Sequence, residues 1–185
     1  MLTIHRPAGG VAVAEGGPRE PGYAVVVRGD RIDAIGPAAD LLAEYGARAR
    51  VRDWEGVLTP GRYEPDAVAL LESAYWPDPR EAGELGTEPL TGEALAAAAL
   101  SMTDTRWGHS ARRGVQRLLA RGTTVLAGPF TRPAVAAAVA RSGLHVAPSP
   151  PPPLRTSGTA DFTVHAPDGS CLTTVLAGRL VFRRR

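Results

Sequence analysis

The 185-residue sequence contains no lysine and no asparagine, so all 21 of its basic residues are arginine. Together with abundant Ala, Gly and Pro, this reads as the coding bias of a GC-rich genome. A single cysteine, Cys171, excludes an internal disulfide. Aromatic residues make up only 5%, and none interleave with arginines as a nucleic-acid-binding surface requires. No apolar run reaches the roughly 18 residues that span a bilayer. The first seven residues, Met1-Leu2-Thr3-Ile4-His5-Arg6-Pro7, have no long apolar core and no cleavage pattern, which argues against a signal peptide. With the lone thiol, these absences predict a cytoplasmic protein with neither a nucleic-acid nor a membrane partner. The net charge of +2 demands no anionic partner.

What is present divides into three styles. Up to about residue 62 the chain alternates like antiparallel β structure. Strands are predicted at Leu2–His5, Val11–Ala14, Tyr23–Arg28, Arg31–Ile35 and Arg50–Asp53. Gly29-Asp30 supplies the turn of a hairpin, which accounts for Arg28-Gly29-Asp30 without an adhesion role. A short helix over Pro37–Tyr45 ends at Gly46. From 63 to 154 the style is mixed. Asp66–Tyr75 and Glu93–Met102 are predicted helices, the second capped by Thr91, with a loop over 76–90. Ser110 is read as the N-cap of a helix whose apolar face is Ala111, Val115, Leu118 and Leu119. Thr123–Ala127, a helix from Pro133 closed by Gly143, and Leu144–Ala147 complete an α/β pattern that implies parallel strand pairing. After the extended Pro148–Pro153 stretch, β style returns in Asp161–His165, Leu172–Ala177 and Arg179–Phe182. Arg183, Arg184 and Arg185 form a solvated end.

Three separated stretches carry a family likeness. Val25–Gly61 holds "VVVRGDRIDAIGP" and "RDWEGVLTPG", Ser110–Val146 holds "ARRGVQRLLARGTTVL" and "ARSGLHV", and Ala160–Phe182 holds "ADFTVH" and "TTVLAGRLVF". These resemble the metal-dependent amidohydrolase superfamily, its imidazolonepropionase-like members in particular. The resemblance implies an α+β fold: a small β-sandwich built from both chain ends, the composite domain of that superfamily, with an inserted partial α/β unit. The corresponding domains are 1–62 plus 155–185 for the sandwich and 63–154 for a truncated barrel-like segment. A closed eight-stranded barrel needs about 250 residues, and three strand positions are present here.

In that family the Pro-Gly of Thr59-Pro60-Gly61 leads into a His-x-His metal motif. Its two places fall here on Asp66 and Val68. The carboxylated lysine that often bridges the family's metals has no counterpart. The four histidines, His5, His109, His145 and His165, form neither His-x-His nor His-x-x-x-His, and zinc needs three or four converging ligands. No metal-ligand residue is therefore assigned and no cofactor is expected; the alternative is one divalent, zinc-like metal. Glu64 and Asp66 form an acidic pair at the start of the lost site. His109 is placed just before a helix N-terminus, beside Asp104, Arg106, Arg112 and Arg113. That setting suits an anion or an acid–base pair of Asp104 with His109. The candidates are thus Asp66, Asp104 and His109 for catalysis, and Arg106, His109 and Arg112 for ligand binding. Against each stands a structural role, as capped helix start or solvated charge.

Two functions are consistent with this pattern. The first is a protein that has lost metal-dependent catalysis and acts in binding, as an accessory or as a regulator of a partner. A homo-oligomer, a full-length enzyme partner and a small-molecule ligand are its expected associations. The alternative is a hydrolase of a non-peptide carbon–nitrogen bond in a small cyclic, purine- or imidazole-like metabolite, working through a rebuilt site.

Overall fold

The computed structural model describes residues 1–184, so Arg185 of the expected solvated end lies outside them. The chain divides into two units. The first comprises Met1–Arg62, Leu119–Thr124 and the part from Pro150 onward; the second comprises Tyr63–Leu118 and Val125–Ser149.

The first unit opens with β1 (Leu2–Pro7), β2 (Val11–Ala12), β3 (Arg19–Glu20), β4 (Tyr23–Arg28) and β5 (Arg31–Pro37). Helix α1 (Ala38–Tyr45), β6 (Arg50–Trp54) and β7 (Val57–Pro60) come next. Strand β4 explains the layering. Side chains alternate between the faces of a strand. Ala24 and Val26 join Ile4, Leu41 and Tyr45 beneath α1, whereas Val25 and Val27 join Leu58, Phe162 and Val175 between two sheets. A strand covered on both faces reads as an unbroken apolar run, and Ala24-Val25-Val26-Val27 is one. The same alternation in β1 sends Ile4 towards α1 and His5 between the sheets. Gly46 closes α1 with a right-handed φ of −54°, and a Cβ there would overlap the Leu42 carbonyl, so close approach and not φ favours glycine.

The middle of the chain contains β8 (Arg62–Glu64), α2 (Ala82–Leu85), α3 (Gly92–Ala97), α4 (Asp104–Ala120), β9 (Thr123–Leu126), α5 (Pro133–Ser142) and β10 (His145–Val146). The strands form one sheet in the order β10-β9-β8. β10 lies parallel to β9, with His145 opposite Val125. Pro133 opens α5, and Gly143 closes it with φ 80°, a left-handed conformation natural to glycine. No barrel closes among the described residues.

Four expectations for this region need correction. The helix expected over 66–75 is shorter and wider, being helical over 67–73 with residues 69–73 in a π turn. There the Leu70 carbonyl is taken by the Trp76 indole N–H at 2.9 Å, and Glu72 turns inward to bond Thr131. The 76–90 stretch is not all loop, since Asp78 and Glu81 form a reciprocal capping box that starts a short turn running into α2. Helix α3 stops at Ala97, and Ala99 has φ +48°. None of its residues is buried, so no packing extends it. Helix α4 starts six residues before Ser110. Thr103 is the cap, its Oγ1 accepting the Arg106 N–H at 3.2 Å. Gly108 is buried inside the helix.

The closing strands β11 (Phe162–His165), β12 (Cys171–Leu176) and β13 (Arg179–Arg183) return to the first unit. β11 pairs antiparallel with β7, matching Phe162 to Pro60 and His165 to Val57. The two sheets of the sandwich are ordered β5-β4-β1-β6 and β13-β12-β11-β7-β2-β3. Both chain ends therefore build one α+β composite domain. Gly61 comes directly after β7, and a Cβ there would overlap Oγ1 and Cγ2 of Thr124. The Thr59-Pro60-Gly61 motif is thus fixed by packing.

Candidate functional site

The second unit holds a cleft of about 370 Å³ walled by Tyr75, Glu81, Arg106, His109 and Arg113 among others. Its geometry grows from the Trp76-Pro77-Asp78-Pro79 corner. Prolines stop the preceding turn, and the capping box places Glu81 beside the buried Tyr75. The Tyr75 hydroxyl donates to Glu81 Oε2 at 2.5 Å, Arg106 Nη2 donates to Glu81 Oε1 at 2.5 Å, and Arg106 Nε donates to the tyrosine oxygen at 3.2 Å. Both Arg106 and Arg113 stack on the Tyr75 ring, with Cζ 5.1 and 5.6 Å from its centroid. Arg113 Nε donates to the Trp76 carbonyl at 2.7 Å.

These bonds set the electrostatics. The Tyr75 hydroxyl holds the Glu81 carboxyl below its usual range, helped by the Asp78 backbone N–H and by Arg106. Burial, then the neighbouring Glu81, pushes the Tyr75 phenol up. At neutral pH the cleft therefore presents a charged Glu81 and a neutral phenol. Its two stacked guanidiniums are already committed, Arg106 to Glu81 and Arg113 to backbone.

A second cleft, about 270 Å³, lies along the first turns of α4 and includes Asp104, His109, Arg112 and Arg141. His109 is exposed and lines both clefts. Of the residues singled out from sequence, Asp104, His109 and Arg112 thus share one cleft, and Arg106 shares the other with His109. Asp66 lines neither. It is exposed, and its N–H donates to Glu64 Oε1 at 3.1 Å, closing a local turn. His109 does not precede a helix N-terminus as expected. It sits in the second turn of α4, where the backbone N–H groups are bonded within the helix.

Tyr75, Asp78, Glu81 and Arg113 are additional members of the first cleft. The Asp-Pro-Arg-Glu sequence at 78–81 is the readable signal for two of them, since an acid with glutamate three residues later marks a helical start. Arg113 is found by its proximity to His109 on the same helix, whereas Tyr75 left no such trace, because its role depends on distant segments meeting.

A metal centre of the kind the resemblance implies would lie at the carboxyl ends of the parallel strands. The residues there do not fit one. β8 runs into Pro65-Asp66, β9 into Ala127-Gly128-Pro129-Phe130 and β10 into Ala147-Pro148. Among the described residues no group of three or more His, Cys, Asp or Glu could hold a metal ion. The buried Glu72 is engaged by protein donors instead. It accepts from the N–H groups of Thr131 and Arg132, both at 2.6 Å, and from the Thr131 hydroxyl at 2.9 Å. This carboxylate fastens the loop that leads into α5.

Residues 24–47 match the imidazolonepropionase-like composite domain of bacteria. No curated protein sequence matches the chain. Among solved structures, the chain is similar to A. niger ochratoxinase (TM-score 0.52, 19% identity, 78% of this chain and 30% of that one). It is equally similar to an adenosine deaminase from Xanthomonas campestris with bound zinc (TM-score 0.52, 18% identity, 78% and 32%). E. coli guanine deaminase gives TM-score 0.52 at 12% identity, covering 79% and 35%. The chain spans about a third of the length of these structures. The sandwich of joined ends and the partial α/β insertion thus share the fold of these structures, and residues 24–47 are similar to the imidazolonepropionase-like composite domain.

Proposed function

We propose that this chain has lost metal-dependent hydrolysis and serves as a binding or accessory protein derived from an amidohydrolase. The observation that carries this reading is the make-up of the segments at the carboxyl ends of β8, β9 and β10. Prolines, alanine, phenylalanine and the turn-forming Glu64–Asp66 pair stand where a metal centre would need convergent imidazoles. The cleft of Tyr75, Glu81 and Arg106 is the surface we assign to a small ligand. Its fixed carboxylate and guanidiniums suit a small polar ligand that hydrogen-bonds. A second copy of the chain or a full-length enzyme is the proposed partner. The edge strand β6 leaves backbone groups open to further pairing.

Metal analysis tests the loss of catalysis. Protein purified without chelator and then dialysed should retain far less than one zinc, iron or manganese per chain. It should release no ammonia from purines or imidazolones when those metals are added back. Stoichiometric retained metal together with ammonia release would sink the proposal.

A second reading is favoured by one observation, the shared cleft of Asp104 and His109. It assigns hydrolysis of a non-peptide carbon–nitrogen bond to a rebuilt site of these two residues. Asp66, outside that cleft, has no part in it. Under this reading His109→Gln abolishes ammonia release while leaving the melting temperature unchanged.

A further inference from the structure

The first unit contains a cleft of about 380 Å³ in which arginines from three places meet. Arg62 is the first residue of β8. Its backbone N–H donates to the Gly122 carbonyl at 2.8 Å, which sets it beside Arg121. Arg184 lies just past β13 and is anchored by its N–H to the Leu172 carbonyl at 2.9 Å. Its guanidinium Nη1 donates to the Ser170 hydroxyl. Cys171 and Phe182 supply apolar wall.

Among the described residues no carboxylate lines this cleft. Among the described residues Arg62 and Arg121 form no ion pair. Among the described residues, Asp168 is a carboxylate set against the group through Arg184. It accepts from the Ser170 N–H at 2.9 Å and the Ser170 hydroxyl at 2.6 Å, and so lies behind the serine. One carboxylate against three guanidiniums leaves an excess of about two positive charges. The carboxyl end of α4 would oppose an anion. Its Leu119 carbonyl, however, already accepts from the Gly122 N–H and the Thr174 hydroxyl.

We propose that the Arg62–Arg121–Arg184 cleft binds the phosphate group of a small phosphomonoester. The guanidinium fork matches phosphate oxygens two at a time, which an ammonium does not. A dianion satisfies the charge excess better than a single carboxylate. The volume exceeds that of phosphate alone and leaves room for the group it esterifies. The backbone bonds that fix Arg62 and Arg184 make the site preorganised. This site is separate from the Tyr75 cleft, and it stands or falls independently of the loss of catalysis.

Titration calorimetry on the full chain tests it, at constant ionic strength, with inorganic phosphate, glycerol 3-phosphate and acetate. Both phosphates should bind saturably at one site, the ester more tightly, and acetate should not. Arg62→Gln and Arg121→Gln should each weaken binding about tenfold or more. Arg19→Gln, on the distant β3, should not. A second readout comes from His165, which burial and then the Arg62 charge hold below the usual imidazole range. Bound phosphate should move its proton-NMR titration upward. Inorganic phosphate binding without the ester would overturn the proposed ligand. Heats no larger than those of chloride at equal ionic strength would overturn the site, as would unchanged affinity in both arginine variants.

Discussion

The two units bury polar groups in opposite ways. In the sandwich the interior between the sheets is almost wholly apolar, with Val25, Leu58, Phe162, Val164 and Val175 fully buried. Its one buried imidazole, His5, is kept neutral. In the α/β unit a charged group, Glu72, lies deep in the structure with three donors on it, and a buried hydroxyl, Ser110, accepts the Trp76 N–H at 2.9 Å. A break at the apolar interior of the sandwich removes covered area, whereas a break at Glu72 removes hydrogen bonds that join a loop to a helix. Substitutions should therefore separate the two by salt and pH dependence as well as by size.

The largest effect belongs to the sandwich. Phe162 is fully buried and meets His5 edge-on, with ring centroids 4.9 Å apart. Phe162→Ala should cost about 3–5 kcal/mol in urea denaturation, and the loss should be the same at low and high salt. The matching break in the α/β unit is Glu72→Ala. It removes the acceptor of three bonds and strands two backbone N–H groups, at a cost of about 2–3 kcal/mol. Here restoration by Glu72→Asp should fail, because the shorter side chain cannot reach Thr131 and Arg132 together. Equal stability of Glu72→Ala and the parent would remove the distinction drawn between the units.

The contrast also explains what could be read from the sequence. The sandwich was legible because strand periodicity and turn residues are local: Gly29-Asp30 marks its hairpin, and the Ala24–Val27 run marks a strand covered twice. Helix α4 was half legible. Its face of Ala111, Val115 and Leu118 is periodic, but Trp107 continues that face one turn earlier, ahead of the start read at Ser110. The candidate site was less legible still. Asp104, Arg106, His109 and Arg112 are neighbours on one helix, so sequence proximity found them. Tyr75, Glu81 and Arg113 meet only through the corner at Trp76–Pro79.

A pH measurement sharpens the comparison at the next level of effect. Burial, with the Arg52 charge adding to it, pushes the His5 imidazole down to about 3. Its Nδ1 accepts the Trp54 indole N–H at 3.2 Å, which requires the neutral ring. The unfolded chain takes up this proton near pH 6.5 and the folded chain does not. The contribution is fully present above pH 6.5 and is lost as pH falls towards 3, by up to about 1.4 kcal/mol per unit. Melting temperature should fall between pH 6.5 and 5, above the range where carboxylates titrate. His5→Gln should flatten that slope. An unchanged slope would move the proton uptake to another group.

The smallest effect has the opposite sign and probes the rule itself. Strand β6 places Arg50, Arg52 and Trp54 on one face, since alternate residues share a side. Arg183 lies over the Trp54 ring at 5.7 Å. The Nε of Arg52 is buried and has no partner among the described residues. Its guanidinium is held below its ordinary range by burial, then by the like charges of Arg50 and Arg183. Glu72 shows what a satisfied buried charge looks like; Arg52 is a partly buried charge that the sandwich leaves unsatisfied. Replacing such a group with an apolar one of similar length removes a desolvation cost and a repulsion while keeping the packing of the stem. Arg52→Met should therefore raise stability by about 1 kcal/mol. The gain should shrink as salt screens the repulsion in the parent. The same change at Arg6, which pairs with Asp53 on the other face of β6 at 2.6 Å, should bring no gain. If Arg52→Met instead destabilises the sandwich, then its opening at β6 relies on charge as much as the α/β unit does.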